Sequence, residues 1–229
     1  MKKSLTVRIY SFIAVLLLLL SHQISKADDN NPSNTVTDID GNVYHTIKIG
    51  TQIWMAENLK STKFSDGTRI DNVKDNTAWN DLTTPGYCWY ENDVKYKNTY
   101  GALYNWYSVN TGKLCPSGWH VPTDAEWTVM TTFLGGERLA GGKLKESGNS
   151  HWISSNAEAT NETGFTALPG GNRIFNGVFE FEGVRGSWWT STSFDSRKAW
   201  QRVMYCIYGD ALRSNYYMRF GFSVRCLKD

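Results

Sequence analysis

Between Asp38 and Leu59 apolar and polar positions alternate. Val43, His45, Ile47 and Ile49 take one parity and Tyr44, Thr46 and Lys48 the other. Asp40-Gly41 precedes them, and Gly50-Thr51 leads into a second short run, Gln52 to Met55. Period-two alternation interrupted by a glycine-bearing turn predicts a β-hairpin. Residues 60–86 are polar, carry the turn signals Asp66-Gly67 and Pro85-Gly86, and read as a long surface loop. Tyr87 to Tyr90 reads as a short aromatic strand. In residues 98–110 Tyr100, Leu103, Tyr104 and Tyr107 fall at i, i+3, i+4 and i+7, which predicts one helix. A second helix is predicted after Thr123: Thr123 and Glu126 have the spacing of a capping box, and Pro122 and Trp127 that of a hydrophobic staple. Trp127, Met130, Phe133 and Leu134 form its apolar face, and Gly135-Gly136 ends it.

Beyond residue 140 the chain is Gly-rich and reads as irregular until Arg173. There Asn176-Gly177 between two short runs, 173–175 and 178–181, signals another hairpin. Further strands are predicted at 188–191, 199–208 and 218–227, with a loop at 209–217. In the last strand Met218, Phe220, Phe222, Val224 and Cys226 share one face and Arg219, Gly221, Ser223 and Arg225 the other. No internal repeat or linker breaks residues 38–229, so they read as one α+β domain.

The first residues follow another pattern. Lys2, Lys3 and Arg8 precede an apolar run from Ile9 to Leu20, and Ser25 and Ala27 supply a small-x-small site. This is the pattern of a secretory signal peptide over 1–27, cleaved after Ala27 and followed by a polar, flexible leader at 28–37. The expected location is therefore secreted, periplasmic or cell surface, with no membrane span in the mature chain.

Composition adds two constraints. Aromatic residues make up 14% of the 229, with 10 Trp, which excludes a disordered chain, a collagen-like chain or a coiled coil. The formal charge is +2, but four of the 24 basic residues lie in the signal segment, leaving a slightly acidic remainder. That balance argues against a general nucleic-acid binder. The four cysteines Cys88, Cys115, Cys206 and Cys226 form no C-x-x-C pair, and in an exported chain they favour disulfides over zinc.

Candidate chemistry is sparse. There is no G-x-S-x-G elbow, and His45, His120 and His151 have no marked Ser or Cys partner. Glu126 is occupied by its capping box. Trp79-Asn80-Asp81 matches a triplet of calcium-dependent lectins, but it precedes both predicted helices, and no EF-hand spacing occurs. No catalytic residue, metal or cofactor is therefore expected. Aromatic sugar binding suits the composition best. Asn161, Asn172, Arg173, Trp188, Arg202 and Tyr216 supply stacking and hydrogen-bonding groups in the region expected to be irregular, and they form the expected ligand cleft. The alternative is that Asn161 and Asn172 cap turns, and that Arg202 and Arg225 are solvated or paired strand residues. Of Trp188 and Trp189, adjacent on one strand, one ring is expected inside and the other facing out or into a cleft.

The segments GTQIWMAENL, YGALYNWYSV, CPSGWHVPTDAEW, AGGKLKESG, NETGFTALPGG, WWTSTS and GFSVRC, taken together, resemble the Fibrobacter succinogenes major paralogous domain over residues 38–229. HVPTDAEW followed by GFSVRC is also distantly similar to sulfatase-modifying, formylglycine-generating proteins. The resemblance implies a C-type lectin-like α+β fold with two helices, short antiparallel strands and long irregular loops. It also implies a bridge from the region before the second helix to the closing strand, Cys115–Cys226, which leaves Cys88 and Cys206 to pair with each other or to remain buried thiols. The copper site of the formylglycine-generating enzymes does not carry over, because Cys206 and Cys226 lie twenty residues apart. The functional expectation is an exported, non-catalytic binding or surface-interaction module with a glycan or cell-surface polysaccharide as partner. The alternative is a divergent enzyme related to the formylglycine-generating group, or a glycan-active hydrolase.

Overall fold

Residues 34–153 and 155–229 are described by the structure, a computed structural model. The expected signal peptide and residues 28–33 of the leader lie outside them. The chain runs β1 (Thr35–Thr37), β2 (Val43–Ile49), β3 (Gln52–Met55), β4 (Asp71–Asn72), α1 (Asn76–Asp81), β5 (Gly86–Cys88), α2 (Lys97–Tyr100), β6 (Leu103–Tyr104) and α3 (Trp106–Val109). It continues with β7 (Trp119–His120), α4 (Asp124–Phe133), α5 (Glu137–Leu144), β8 (Gly170–Arg173), β9 (Phe179–Glu182), β10 (Arg185–Ser193), β11 (Lys198–Tyr205), β12 (Leu212–Tyr217) and β13 (Leu227–Lys228). Among the described residues these strands form three sheets, in the orders β1-β2-β3-β13-β7, β12-β11-β10-β8-β9 and β4-β5-β6. The fold is mixed α+β, mostly sheet with few helices.

Both predicted hairpins form. Ile47 faces Trp54 and Ile49 faces Gln52 across β2 and β3. Arg173 faces Phe179 across β8 and β9, with the Gly177 N–H closing the turn on the Ile174 carbonyl. The capping box also forms: the Thr123 hydroxyl accepts from the Glu126 N–H, and the Glu126 carboxylate accepts from the Thr123 N–H at 2.7 Å. Phe133, however, is 65% exposed, so the buried face of α4 is Trp127, Met130, Thr131 and the following Leu134.

Several expectations are corrected. Thr35–Thr37 pair with β2, so the end of the expected leader belongs to the sheet. The predicted surface loop 60–86 carries β4 and α1, and Trp79 on α1 is wholly buried. Residues 98–110 do not form one helix. Gly101 turns the chain at φ 73°, where a Cβ would stand 2.7 Å from the Leu59 carbonyl oxygen. Leu103–Tyr104 then pair with β5, and Asn105 opens a separate helical turn by accepting from the Ser108 N–H. The helical spacing of the four apolar residues is overridden by sheet pairing. Conversely, Glu137–Leu144 is a helix despite Gly141 and Gly142. Glycine costs helical stability, but a Cβ at Gly141 would lie 2.1 Å from the Asp210 carbonyl oxygen, and one at Gly142 would lie 2.5 Å from that of Glu158. These glycines are placed by close backbone approach. The predicted loop 209–217 is largely strand β12, paired to β11 from Leu212 to Tyr217.

β10 organises the interior. Its residues from Arg185 to Thr190 are all buried. Trp189 enters one core cluster with Tyr104, Trp106 and Phe222, and Trp188 enters another with Trp54, Trp127 and Phe165. Neither ring faces solvent, contrary to the one-in, one-out expectation, because apolar layers cover both faces of the strand. Trp89 and Tyr90 are buried as well.

The last segment is buried on both faces. Met218, Phe220, Phe222, Val224 and Cys226 do share one cluster, but Ser223 and Arg225 opposite are inside too. Only Leu227–Lys228 is regular strand, between β3 and β7. Upstream, Phe222 bridges Tyr104, Gly221 bridges Arg173 and Ser223 bridges Trp188. The Cys115–Cys226 disulfide is present, with Cα atoms 6.0 Å apart. Cys88 and Cys206 do not pair: both are free, buried thiols, and they sit in separate apolar clusters. Burial pushes the Cys88 thiol up to about 12, with neighbouring Arg173 pulling the other way.

Candidate functional site

Of the six residues expected to line a cleft, Asn172, Arg173, Trp188 and Arg202 have no exposed surface. Trp188 donates its indole N–H to Asn58 Oδ1 at 2.8 Å. Arg173 lies over the rings of Trp79 and Phe179, 4.4 and 4.9 Å from their centroids. It donates to the carbonyls of Val73, Lys74 and Gly177 and so anchors the segment before α1 to β8. Arg202 ties β11 to both long helices, donating to Asp124 at 2.8 Å, Thr128 at 2.8 Å and Glu137 at 2.5 Å. Asn161 closes a turn on itself: at φ 52°, its side chain accepts from the Thr166 N–H and donates to the Thr166 hydroxyl.

Asn172 and the half-buried Tyr216 do come together, around Arg185, which is not one of the six. Arg185 donates to Asn172 Oδ1. Its guanidinium lies 4.7 Å from the Phe181 ring centroid and 5.7 Å from that of Tyr216. Arg185 is itself buried, and its Nε, Asn172 Nδ2, Ser187 Oγ and the Gln201 amide have no hydrogen-bond partner among the described residues. No sequence signal marks Arg185, since one arginine in an alternating run reads as a solvent-facing strand residue.

Each histidine of the described chain sits beside a carboxylate. His45 meets Glu57, His151 meets Glu146, and His120 bridges Asp229 and Glu126. Burial pulls the His120 imidazole down, but its bonds to Asp229 and Glu126 outweigh this, and its pKa lies above 6.5. With the folded value above the unfolded one, the contribution is complete below the unfolded pKa. It is lost as pH rises through the folded pKa. His120→Gln should therefore lower the melting temperature more at about pH 5.5 than at about pH 8.5. Equal losses at both would show that the charge on the ring contributes nothing.

An open cleft of about 490 Å³ lies elsewhere, where a helical turn and four connections meet. Thr83 follows α1, Tyr107 lies on α3, and Phe175 stands at the β8–β9 turn. Ser196 and Arg197 form the β10–β11 turn, and Tyr217, Met218 and Arg219 leave the end of β12. Phe175 and Tyr217 are exposed, with centroids 6.3 Å apart in an edge-to-face pair. Lys198 Nζ lies 5.1 Å from the Tyr217 ring centroid. The β10–β11 turn is built by Asp195, whose Oδ1 accepts from the N–H groups of Arg197 and Lys198 at 2.7 and 2.8 Å. Those bonds, that of Arg197 foremost, hold its carboxyl below the usual carboxylate range. Arg219 donates Nη1 to the Asn80 carbonyl, the middle residue of the Trp-Asn-Asp triplet.

None of the six residues expected to form a cleft lines this one. Asn176-Gly177 beside Phe175, and Asp195 two residues before Arg197, were available signals of exposed tips. Among the described residues no three His, Cys, Asp or Glu side chains gather to hold a metal ion, and no helix is long and apolar enough to cross a membrane.

A mixed α+β domain with a tryptophan-rich interior and a cleft built from its turns is thus the setting of the site. The chain belongs to the Fibrobacter succinogenes major domain family, whose match spans residues 47–228. No curated protein and no solved structure matches it.

Proposed function

We propose that the domain is an exported, non-catalytic module that binds a glycan at a surface, on a C-type lectin-like scaffold. The carrying observation is the cleft between Tyr107, Phe175 and Tyr217, where the exposed rings of Phe175 and Tyr217 stand beside hydroxyl and guanidinium groups. The apolar faces of sugar rings stack on aromatic side chains, and hydroxyls exchange hydrogen bonds with Thr83, Ser196, Arg197 and Arg219. The volume is in the range of small-ligand sites, and the site rests on turns held by a rigid sheet. The test is affinity electrophoresis of the full chain through a panel of polysaccharides. A retarded band is expected for at least one. In that gel Tyr217→Ala should bind about tenfold more weakly with an unchanged melting temperature, because this ring is 41% exposed. A chain that no polysaccharide retards would end the proposal.

A further inference from the structure

We infer that the cleft selects an acidic polysaccharide, a chain whose sugars carry carboxylates. This rests on the glycan reading and goes one step further, from the charge of the walls. Arg197 and Arg219 both line the cleft. Among the described residues neither takes part in an ion pair, whereas Arg202 and Arg213 are both paired with Asp124. The Arg219 fork has five N–H donors, and among the described residues its side chain makes one hydrogen bond, from Nη1 to the Asn80 carbonyl. Asp195, the acid of the same turn as Arg197, directs Oδ1 to backbone N–H groups and also feels the charges of Lys198 and Arg197 without forming an ion pair with either. Lys198 adds a third positive charge on the Tyr217 ring. Among the described residues no acidic side chain lines the cleft.

The walls therefore present, beside two exposed rings, two guanidinium groups that form no ion pair among the described residues. A neutral sugar chain uses the rings and leaves the guanidinium charge unmatched. A uronate ring stacks by one face and sends its carboxylate, planar and two-pronged, to an arginine fork, the pairing for which guanidinium geometry is suited. Because Arg197 is exposed, this attraction is screened by salt.

The experiment compares polygalacturonate with its fully methyl-esterified form, which has the same backbone and no charge, and with dextran sulfate as a general polyanion. Binding to the full chain is measured by calorimetry at low and high salt. Polygalacturonate is expected to bind at least about tenfold more tightly than the ester, and the advantage should shrink as salt rises. The double variant R197Q/R219Q should bind both polymers alike. Equal affinity of the wild type for polygalacturonate and its ester would overturn the inference while leaving the glycan reading intact. Dextran sulfate binding as tightly as polygalacturonate would overturn it in favour of an unselective polyanion patch. If none of these polymers binds and the wider panel also fails, both readings fall together.

Discussion

Replacing Cys115 and Cys226 together by alanine is expected to lower unfolding stability by about 4–5 kcal/mol. The disulfide joins residues 111 positions apart, so cutting it releases a long loop in the unfolded chain. In the chain-entropy account most of the loss comes from that released freedom. Both cysteines are buried, so a reductant should act on the wild type chiefly after opening. In denaturant with dithiothreitol the wild-type midpoint should fall to that of the double variant. A variant that unfolds at the wild-type midpoint under oxidising conditions would show that the closing segment is held by packing alone. The free thiols Cys88 and Cys206 offer a control, because replacing either leaves the loop closed.

Trp188→Ala is expected to cost about 3–5 kcal/mol, the usual range for emptying a buried aromatic site. The ring lies 6.4 Å from those of both Trp127 and Phe165. Gly186 is shaped around it: a Cβ there would come within 2.3 Å of the indole. The variant also withdraws the indole N–H from Asn58, although Arg225 continues to donate to the same oxygen at 2.8 Å. Any loss of ligand binding should then follow loss of the fold, in contrast to Tyr217→Ala. A Trp188→Ala protein that melts like the parent yet fails to bind would return Trp188 to the ligand site.

The contrast between Trp188 and Tyr217 shows what could be read from the chain alone. Local signals held wherever they depended on neighbours in sequence: the β2–β3 hairpin, the Asn176-Gly177 turn and the Thr123–Glu126 capping box. They failed where distant strands decided the outcome. Tyr100 to Tyr107 have helical spacing, yet Tyr104 is claimed by Tyr87 on one side and Phe222 on the other. Gly141 and Gly142 looked like loop residues, because the backbone of Asp210 and Glu158 that excludes a side chain there is remote in sequence. The candidate site was less legible than the fold. Polar residues in a Gly-rich stretch suggested a cleft, but Arg173 and Arg202 turned out to brace the interior. The residues that line the open cleft come from five separate stretches of the chain, and one-dimensional spacing carries no trace of their meeting.

The closing segment sets a condition on the order of events as the chain emerges from a ribosome or a pore. Phe222 pairs with Tyr104 in the smallest sheet, Ser223 with Trp188 in the β8–β12 sheet, and Leu227 with Trp54 in the first. Val224 and Cys226 accept the N–H groups of Leu59 and Met55, near the start of the domain. None of the three sheets has its full set of partners until the last dozen residues are free. Local hairpins can form early, but they remain open-edged and unsealed. Commitment to the native state is therefore postponed until residues 218–229 are free, and a domain that lacks residues 220–229 should remain a target for proteases, not a smaller folded domain.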